Sequence, residues 1–328
     1  MRLLSVSIAA LVMTAGAAAA VTGERPVQLG AYYATWAARA ESTSGIDDRL
    51  AGIPEGVTEI FLAFMRPDAT YAGGLDLAGT GLQVPYSGPV LKASLKALRA
   101  RIPGIRILVS IGGEKFANWN RFDPRAARRL VEDFDLDGVD LDFEPADPRC
   151  GERSGQMSCD SDALLLEVVE AARATLPRPI AIWLTATNTG AYGEGPWSEA
   201  PPIGGPTYGA FLPLLRDAKR RALIDGLSLM AYDAGPTFRP LDAYAAYRSR
   251  FEGPILIGLT SPPEAWGGHA YTVPEAVETV RAAIPKGANG AMVWAIGKEN
   301  PSNPGPDRPG PDALISALIH AIEQMGPN

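Results

Sequence analysis

The run Asp133-Phe134-Asp135-Leu136-Asp137-Gly138-Val139-Asp140-Leu141-Asp142-Phe143-Glu144-Pro145 carries six carboxylates in thirteen residues. From Gly138 onward, Val139, Leu141 and Phe143 alternate with Asp140, Asp142 and Glu144. Successive side chains of a strand point to opposite faces, so three apolar groups share one face and three acids the other. Buried like charges are expensive unless protons and hydrogen bonds are shared, so such a row points to chemistry rather than packing. A solvated acidic edge would need an open polar face, which the rest of the chain does not supply. Asp133, Asp135, Asp137, Gly138 and Glu144 also match the calcium-loop spacing D-x-D-x-D-G-x5-E. The context opposes that reading. Pro145 stands where the exiting helix should run, position eight is Asp140 rather than apolar, and no second loop exists.

Outward from this strand, seven more apolar runs are spaced about 30 to 50 residues apart. The eight are Val27–Ala34, Val57–Phe64, Ile105–Ser110, Leu136–Phe143, Ile180–Ala186, Ile224–Tyr232, Ile255–Thr260 and Ala288–Ile296. Helical patterns lie between them, among them Leu91–Arg101, Pro124–Phe134, Ser161–Leu176, Tyr208–Arg221 and Val273–Ile284, with Pro311–Met325 at the end. Apolar strands alternating with amphipathic helices imply a parallel sheet, and eight units in about 300 residues imply a closed (β/α)8 TIM barrel. An open doubly wound sheet lacks its phosphate-binding turn, since Ala31-Tyr32-Tyr33-Ala34 follows Gly30. Glu144 then sits at the C-terminal end of the fourth strand, where barrel active sites are built. The Pro/Gly-rich stretches 193–208 and 300–311 read as loops of one domain.

Composition narrows the chemistry. The chain has 328 residues, 46% hydrophobic and 20% charged, with a net charge of −7. That balance argues against nucleic-acid binding, which needs a basic face. Two histidines, His269 and His320, and two cysteines, Cys150 and Cys159, are too few for a zinc site of imidazole and thiolate, so neither metal nor cofactor is expected. Arg2, the apolar run from Leu3 and the closing Ala18-Ala19-Ala20 read as a secretory signal over residues 1–20, leaving one catalytic domain over 21–328. A membrane anchor is the rival reading of that run. No other segment is apolar enough to span a bilayer, so a secreted monomer with no membrane contact after cleavage is expected. Export exposes the cysteines to an oxidising space. A Cys150–Cys159 disulfide is therefore expected to pin a polar surface loop, worth roughly 2–3 kcal/mol on the chain-entropy account.

Asp137-Gly138-Val139-Asp140-Leu141-Asp142-Phe143-Glu144 resembles the D-G-x-D-x-D-x-E signature of family 18 glycoside hydrolases, the chitinase family. Ser110-Ile111-Gly112-Gly113 is similar to the family's S-x-G-G, and Met230-Ala231-Tyr232-Asp233 to its M-x-Y-D. Trp294 matches the tryptophan that floors the cleavage subsite, and Tyr32-Tyr33 with Trp36 the first-strand segment. The resemblance covers roughly residues 27 to 325.

The resemblance implies substrate-assisted hydrolysis of chitin or N-acetylglucosamine oligosaccharides, in which the sugar's 2-acetamido oxygen attacks its own anomeric carbon. By it, Glu144 protonates the leaving oxygen and later activates water, Asp142 holds the acetamido N–H, and Asp140 shares a proton with Asp142. Tyr232 donates to the acetamido oxygen, Asp233 assists around the distorted sugar, and Trp294 stacks beneath it. Met230 and Tyr32 complete the expected substrate contacts. Three close carboxylates cannot all ionise comfortably, so a raised pKa is expected on the chemistry alone. Trp36, Trp119, Trp197, Trp266 and Trp294 all follow or end expected strands, and two or three of the five should form a sugar-stacking rim.

Departures from the family pattern are informative. Phe143 replaces a common Trp or Tyr, and Glu114 stands where Trp is common, which removes one substrate-wall contact. Pro274 follows Thr260 by only 14 positions, leaving no room for the α+β insertion of some relatives. A shallower cleft and endo cleavage follow from that. Two other activities fit the acid signature. One is an endo-β-N-acetylglucosaminidase on N-glycan cores, and the other a chitinase-like lectin, which retention of Glu144, Asp142 and Tyr232 argues against.

Overall fold

A computed structural model describes residues 27–38, 45–262 and 271–325. The expected signal segment, Trp266 and His269 lie outside the described residues. Eight strands form the core: β1 Gln28–Ala34, β2 Glu59–Met65, β3 Arg106–Gly112, β4 Gly138–Asp142, β5 Ala181–Ala186, β6 Gly226–Leu229, β7 Ile255–Thr260 and β8 Gly290–Ile296. All neighbours are parallel, and β1 pairs with both β2 and β8, which closes the barrel. The fold is thus the single (β/α)8 barrel expected.

Each expected strand is present, most with trimmed ends, while β2 and β3 run on to Met65 and Gly112. Leu136 and Asp137 fall before β4 because Asp137 turns its carboxylate back onto the Ile107 N–H, 2.7 Å away, and onto Arg99. Asp133, another member of the calcium-loop spacing, accepts from the Tyr71 hydroxyl at 2.6 Å and the Gly74 N–H at 3.0 Å. These carboxylates join neighbouring chain segments and do not converge on one ion.

Local chemistry sets the helix boundaries. Asp123 caps Pro124–Asp133 by accepting from the Arg125 and Ala126 N–H groups, with Pro124 at the first position. That helix buries Ala126, Ala127, Leu130 and Val131 against the sheet. Thr272 and Glu275 form a capping box at Val273–Ala283. The single helix expected over 208–221 is instead two, Leu212–Arg216 and Ala218–Arg221. Asp217 takes an extended conformation between them and caps the second through Lys219 and Arg220 N–H, a local bond that competes with continued helix.

The barrel interior is layered. At the strand starts, Glu59 accepts from Gln28 at 2.6 Å and from Arg106 at 2.7 Å, and Arg106 lies 5.3 Å over the Trp183 ring. This ion pair and the Trp183 ring fill the N-terminal end of the barrel interior. Cys150 and Cys159 are bonded, and within their loop the strands Gly151–Arg153 and Gln156–Ser158 pair as a hairpin. Arg216 donates to the Met157 carbonyl at 2.7 Å, which ties the hairpin to the barrel wall.

Candidate active site

The period-two reading of β4 holds in three dimensions. Val139, Leu141 and Phe143 are buried in the apolar layer, whereas Asp140 and Asp142 point into the barrel and are almost wholly buried. Glu144 lies just beyond the strand end and faces a cavity of about 410 Å³.

Asp140 forms the floor. Its Oδ2 accepts from Ser110 at 2.7 Å, Thr185 at 2.8 Å and Tyr32 at 3.0 Å. Its Oδ1 has no partner among the described residues. Burial pushes the Asp140 carboxyl up to about 6 even though these three hydroxyl donors pull it down. The Tyr32 hydroxyl also lies 2.7 Å from Thr185 Oγ1 and 3.1 Å from Ser228 Oγ. Tyr32 touches the cavity wall, but its hydroxyl is occupied beneath the carboxylates, so it positions Asp140 more than it meets a ligand. Thr185 and Ser228 were missed by sequence reasoning. Their only signal is a lone hydroxyl in an otherwise apolar parallel strand.

Asp142 and Glu144 act as a pair. Burial, then the charges of Glu144 and Asp140, raise Asp142 well above the usual carboxylate range. A hydrogen bond joins it to Glu144. Burial pushes Glu144 up to about 7, and the charges of Glu114 and Asp233 add to this. The bonds from Asp142 and from the Glu114 backbone pull it down without cancelling the rise. The two carboxyls therefore titrate together and hold a proton near neutral pH. In this structure the hydrogen bond of Asp142 runs to Glu144, while Asp140 Oδ2 is taken by hydroxyl donors. Asp142 lines the cavity, and its Oδ1 is buried with no partner among the described residues.

The opposite wall comes from β6 and β8. Met230, Tyr232 and Asp233 line the cavity at the end of β6. Asn188 donates to the Tyr232 carbonyl at 2.9 Å, Tyr271 donates to the Ala231 carbonyl at 2.7 Å, and Asp233 has a positive φ of 54°. These contacts aim the segment back over the barrel. Trp294 lies near the end of β8, with its ring 5.5 Å from Phe64, 5.6 Å from Tyr32 and 6.1 Å from Trp36. The peptides Ala63–Phe64 and Trp294–Ala295 are cis. Gly113 explains the close packing beneath. A Cβ there would lie 2.8 Å from the Phe64 ring, and its φ is 77°.

Of the five rim tryptophans, Trp36 and Trp294 line the cavity. Trp119 is buried against Phe122 and Phe143 and does not reach it. Trp197 packs at the core edge. A second cleft of about 660 Å³ adjoins across Trp36 and Trp294, with Lys298 and Arg308 in its wall. Trp36, 47% exposed, stands between the two clefts.

This architecture can be compared with solved structures. A family 18 chitinase from Pseudoalteromonas aurantia matches with a TM-score of 0.61 at 16% identity, over 90% of this chain and 99% of that one. The fold is that of the family 18 chitinases. A mutant catalytic domain 2 of the Ostrinia furnacalis Group II chitinase, in complex with penta-N-acetylchitooctaose, matches at a TM-score of 0.59 and 15% identity, over 90% and 96% of the two chains. YKL-39, crystallised in the presence of chitooligosaccharides, matches at a TM-score of 0.61 and 11% identity, over 90% and 99%. No sequence-family model and no curated protein matches the chain.

Proposed function

We propose that this chain is a family 18 glycoside hydrolase, exported with loss of residues 1–20, that hydrolyses β-1,4 bonds between N-acetylglucosamine units. One observation carries the reading. Asp142 presents a buried, partnerless oxygen beside a Glu144 kept protonated near neutral pH, in one cavity with Tyr232 and the Trp294 ring.

An N-acetylglucosamine seated on Trp294 gives its acetamido N–H to Asp142 Oδ1, which satisfies the orphaned acceptor. Tyr232 donates its hydroxyl to the acetamido oxygen and orients it at the anomeric carbon. That oxygen forms a bond to the carbon while the glycosidic oxygen leaves with the proton of Glu144. Glu144, now ionised, takes a proton from water as the water oxygen opens the oxazolinium, and retention of configuration follows. Asp140 holds negative charge below the ring for the oxazolinium cation, and Asp233 closes over the distorted sugar. The clefts on either side of Trp36 give a longer chain room to continue, in keeping with endo cleavage.

Glu144→Gln tests the assignment. Turnover of a chito-oligosaccharide should fall by about 10²–10⁴-fold, while calorimetry still records oligosaccharide binding. Turnover at the wild-type rate would remove Glu144 from the mechanism. A wild-type protein that binds but never cleaves would be a lectin, and one that cleaves only N-glycan cores an endo-β-N-acetylglucosaminidase.

A further inference from the structure

Glu114 follows Gly112 and Gly113 just beyond β3. It is exposed and lines the same cavity as Glu144. Its backbone N–H bonds to the Glu144 carboxyl. Its own carboxylate makes no ion pair among the described residues, and so can take a ligand's charge. Four carboxyl groups, Glu114, Asp142, Glu144 and Asp233, line this cavity against one ammonium, Lys115. Asp142, which keeps one buried oxygen without a partner among the described residues, lines the same cavity.

The next step rests on the reading given under Proposed function. There Glu144 gives its proton to the oxygen of the departing sugar, so the group beside Glu144 meets that sugar. The donor sugar must keep its acetyl group, because the acetamido oxygen is the attacking atom. The departing sugar's 2-amino substituent takes no part in the reaction and is free to serve recognition. We infer that the Glu114 carboxylate selects a departing sugar whose 2-amino group is free and protonated. The enzyme then prefers N-acetylglucosaminyl–glucosamine bonds in partly deacetylated chains over fully acetylated ones. Lys115, next in the chain, opposes this preference.

Two tetrasaccharides test it: the fully N-acetylated one, and one whose third sugar from the non-reducing end is glucosamine. Middle-bond cleavage is followed by mass spectrometry at about pH 5.5, where an alkyl ammonium keeps its proton. The ratio of kcat/KM for the two substrates cancels any effect on Glu144 itself. Wild type should favour the glucosamine substrate by about fivefold, the size of an exposed ion pair. The ratio should fall to about one in Glu114→Gln, and in wild type at about 1 M salt, where the Debye length is only ~3 Å. It should rise in Lys115→Gln. A wild-type ratio of one, or a preference that survives both Glu114→Gln and salt, overturns the inference while leaving the chitinase reading intact. If a folded wild type cleaves neither tetrasaccharide, the reading under Proposed function fails and this inference fails with it.

Discussion

At the residue scale, the site depends on carboxylates that burial keeps from ionising. Glu144, raised to about 7, must be protonated to act as an acid, so kcat/KM should fall as pH rises through about 7. A rate profile still climbing above that pH would contradict the assignment. The same shifts act on stability. Asp140 and Glu144 have folded pKa values near 6 and 7, above the ordinary carboxylate range. Between about pH 4 and 7 the native chain thus binds more protons than the unfolded one. Their contribution is fully present below about pH 4 and is lost as pH rises through the folded values. Asp140→Asn, which keeps an acceptor for Ser110 and Thr185 and removes the charge, should raise stability at pH 8 by ~2 kcal/mol and change it little at pH 4. Thermal unfolding at the two pH values measures this, and an equal shift at both would rule out the charge as the cause. Trp294→Ala should weaken oligosaccharide binding by about tenfold or more, from lost ring stacking, as calorimetry would show. At this scale Asp140, Asp142, Glu144, Met230, Tyr232, Asp233 and Trp294 were legible because motif and strand end coincide. The partners Thr185 and Ser228 were not, because Thr185 reaches Asp140 across the β4–β5 pairing and Ser228 reaches the Tyr32 hydroxyl across the barrel interior, and no local pattern records either.

At the element scale, β4 shows why alternation was a dependable guide. Its register places Gly138–Asp142 between β3 and β5, so a one-residue slip would turn every acid outward. The strand ends were less legible. Asp137 and Asp217 use side-chain bonds to backbone N–H groups that end one element or begin another, and periodicity does not register such bonds. The turn after β3 is equally specific. Gly113→Ala would meet the Phe64 ring and force a side chain into a positive φ. It should destabilise by about 1–3 kcal/mol and lower activity, because Phe64 supports Trp294. Chemical denaturation against activity would measure both effects. The hairpin within the Cys150–Cys159 loop was not foreseen, although the bond was. Replacing both cysteines by serine should cost about 2–3 kcal/mol by denaturant titration, since the closed loop is short. Activity retained in that variant would mark the hairpin as a brace.

At the scale of the whole molecule, the barrel divides its two ends by chemistry. Glu59, Arg106 and Trp183 fill the N-terminal end with a paired charge and a ring. The other end keeps its polar groups under-satisfied, with free oxygens on Asp140 and Asp142. The placement of the acids at the C-terminal end was legible from eight apolar runs and one acidic strand, but the filling of the other end was not, because it is a contact between strands distant in sequence. Of the five tryptophans at strand ends, of which two or three were expected on the rim, Trp36 and Trp294 line the cavity and Trp119 packs on Phe143. The central claim is that the open end hydrolyses N-acetylglucosamine polymers with Glu144 as its acid. Incubation of purified wild type with N-acetylglucosamine hexamer, followed by mass spectrometry, tests it most directly. The account predicts shorter, fully N-acetylated oligomers, with internal cleavage dominating. An intact hexamer after incubation with demonstrably folded protein would contradict it.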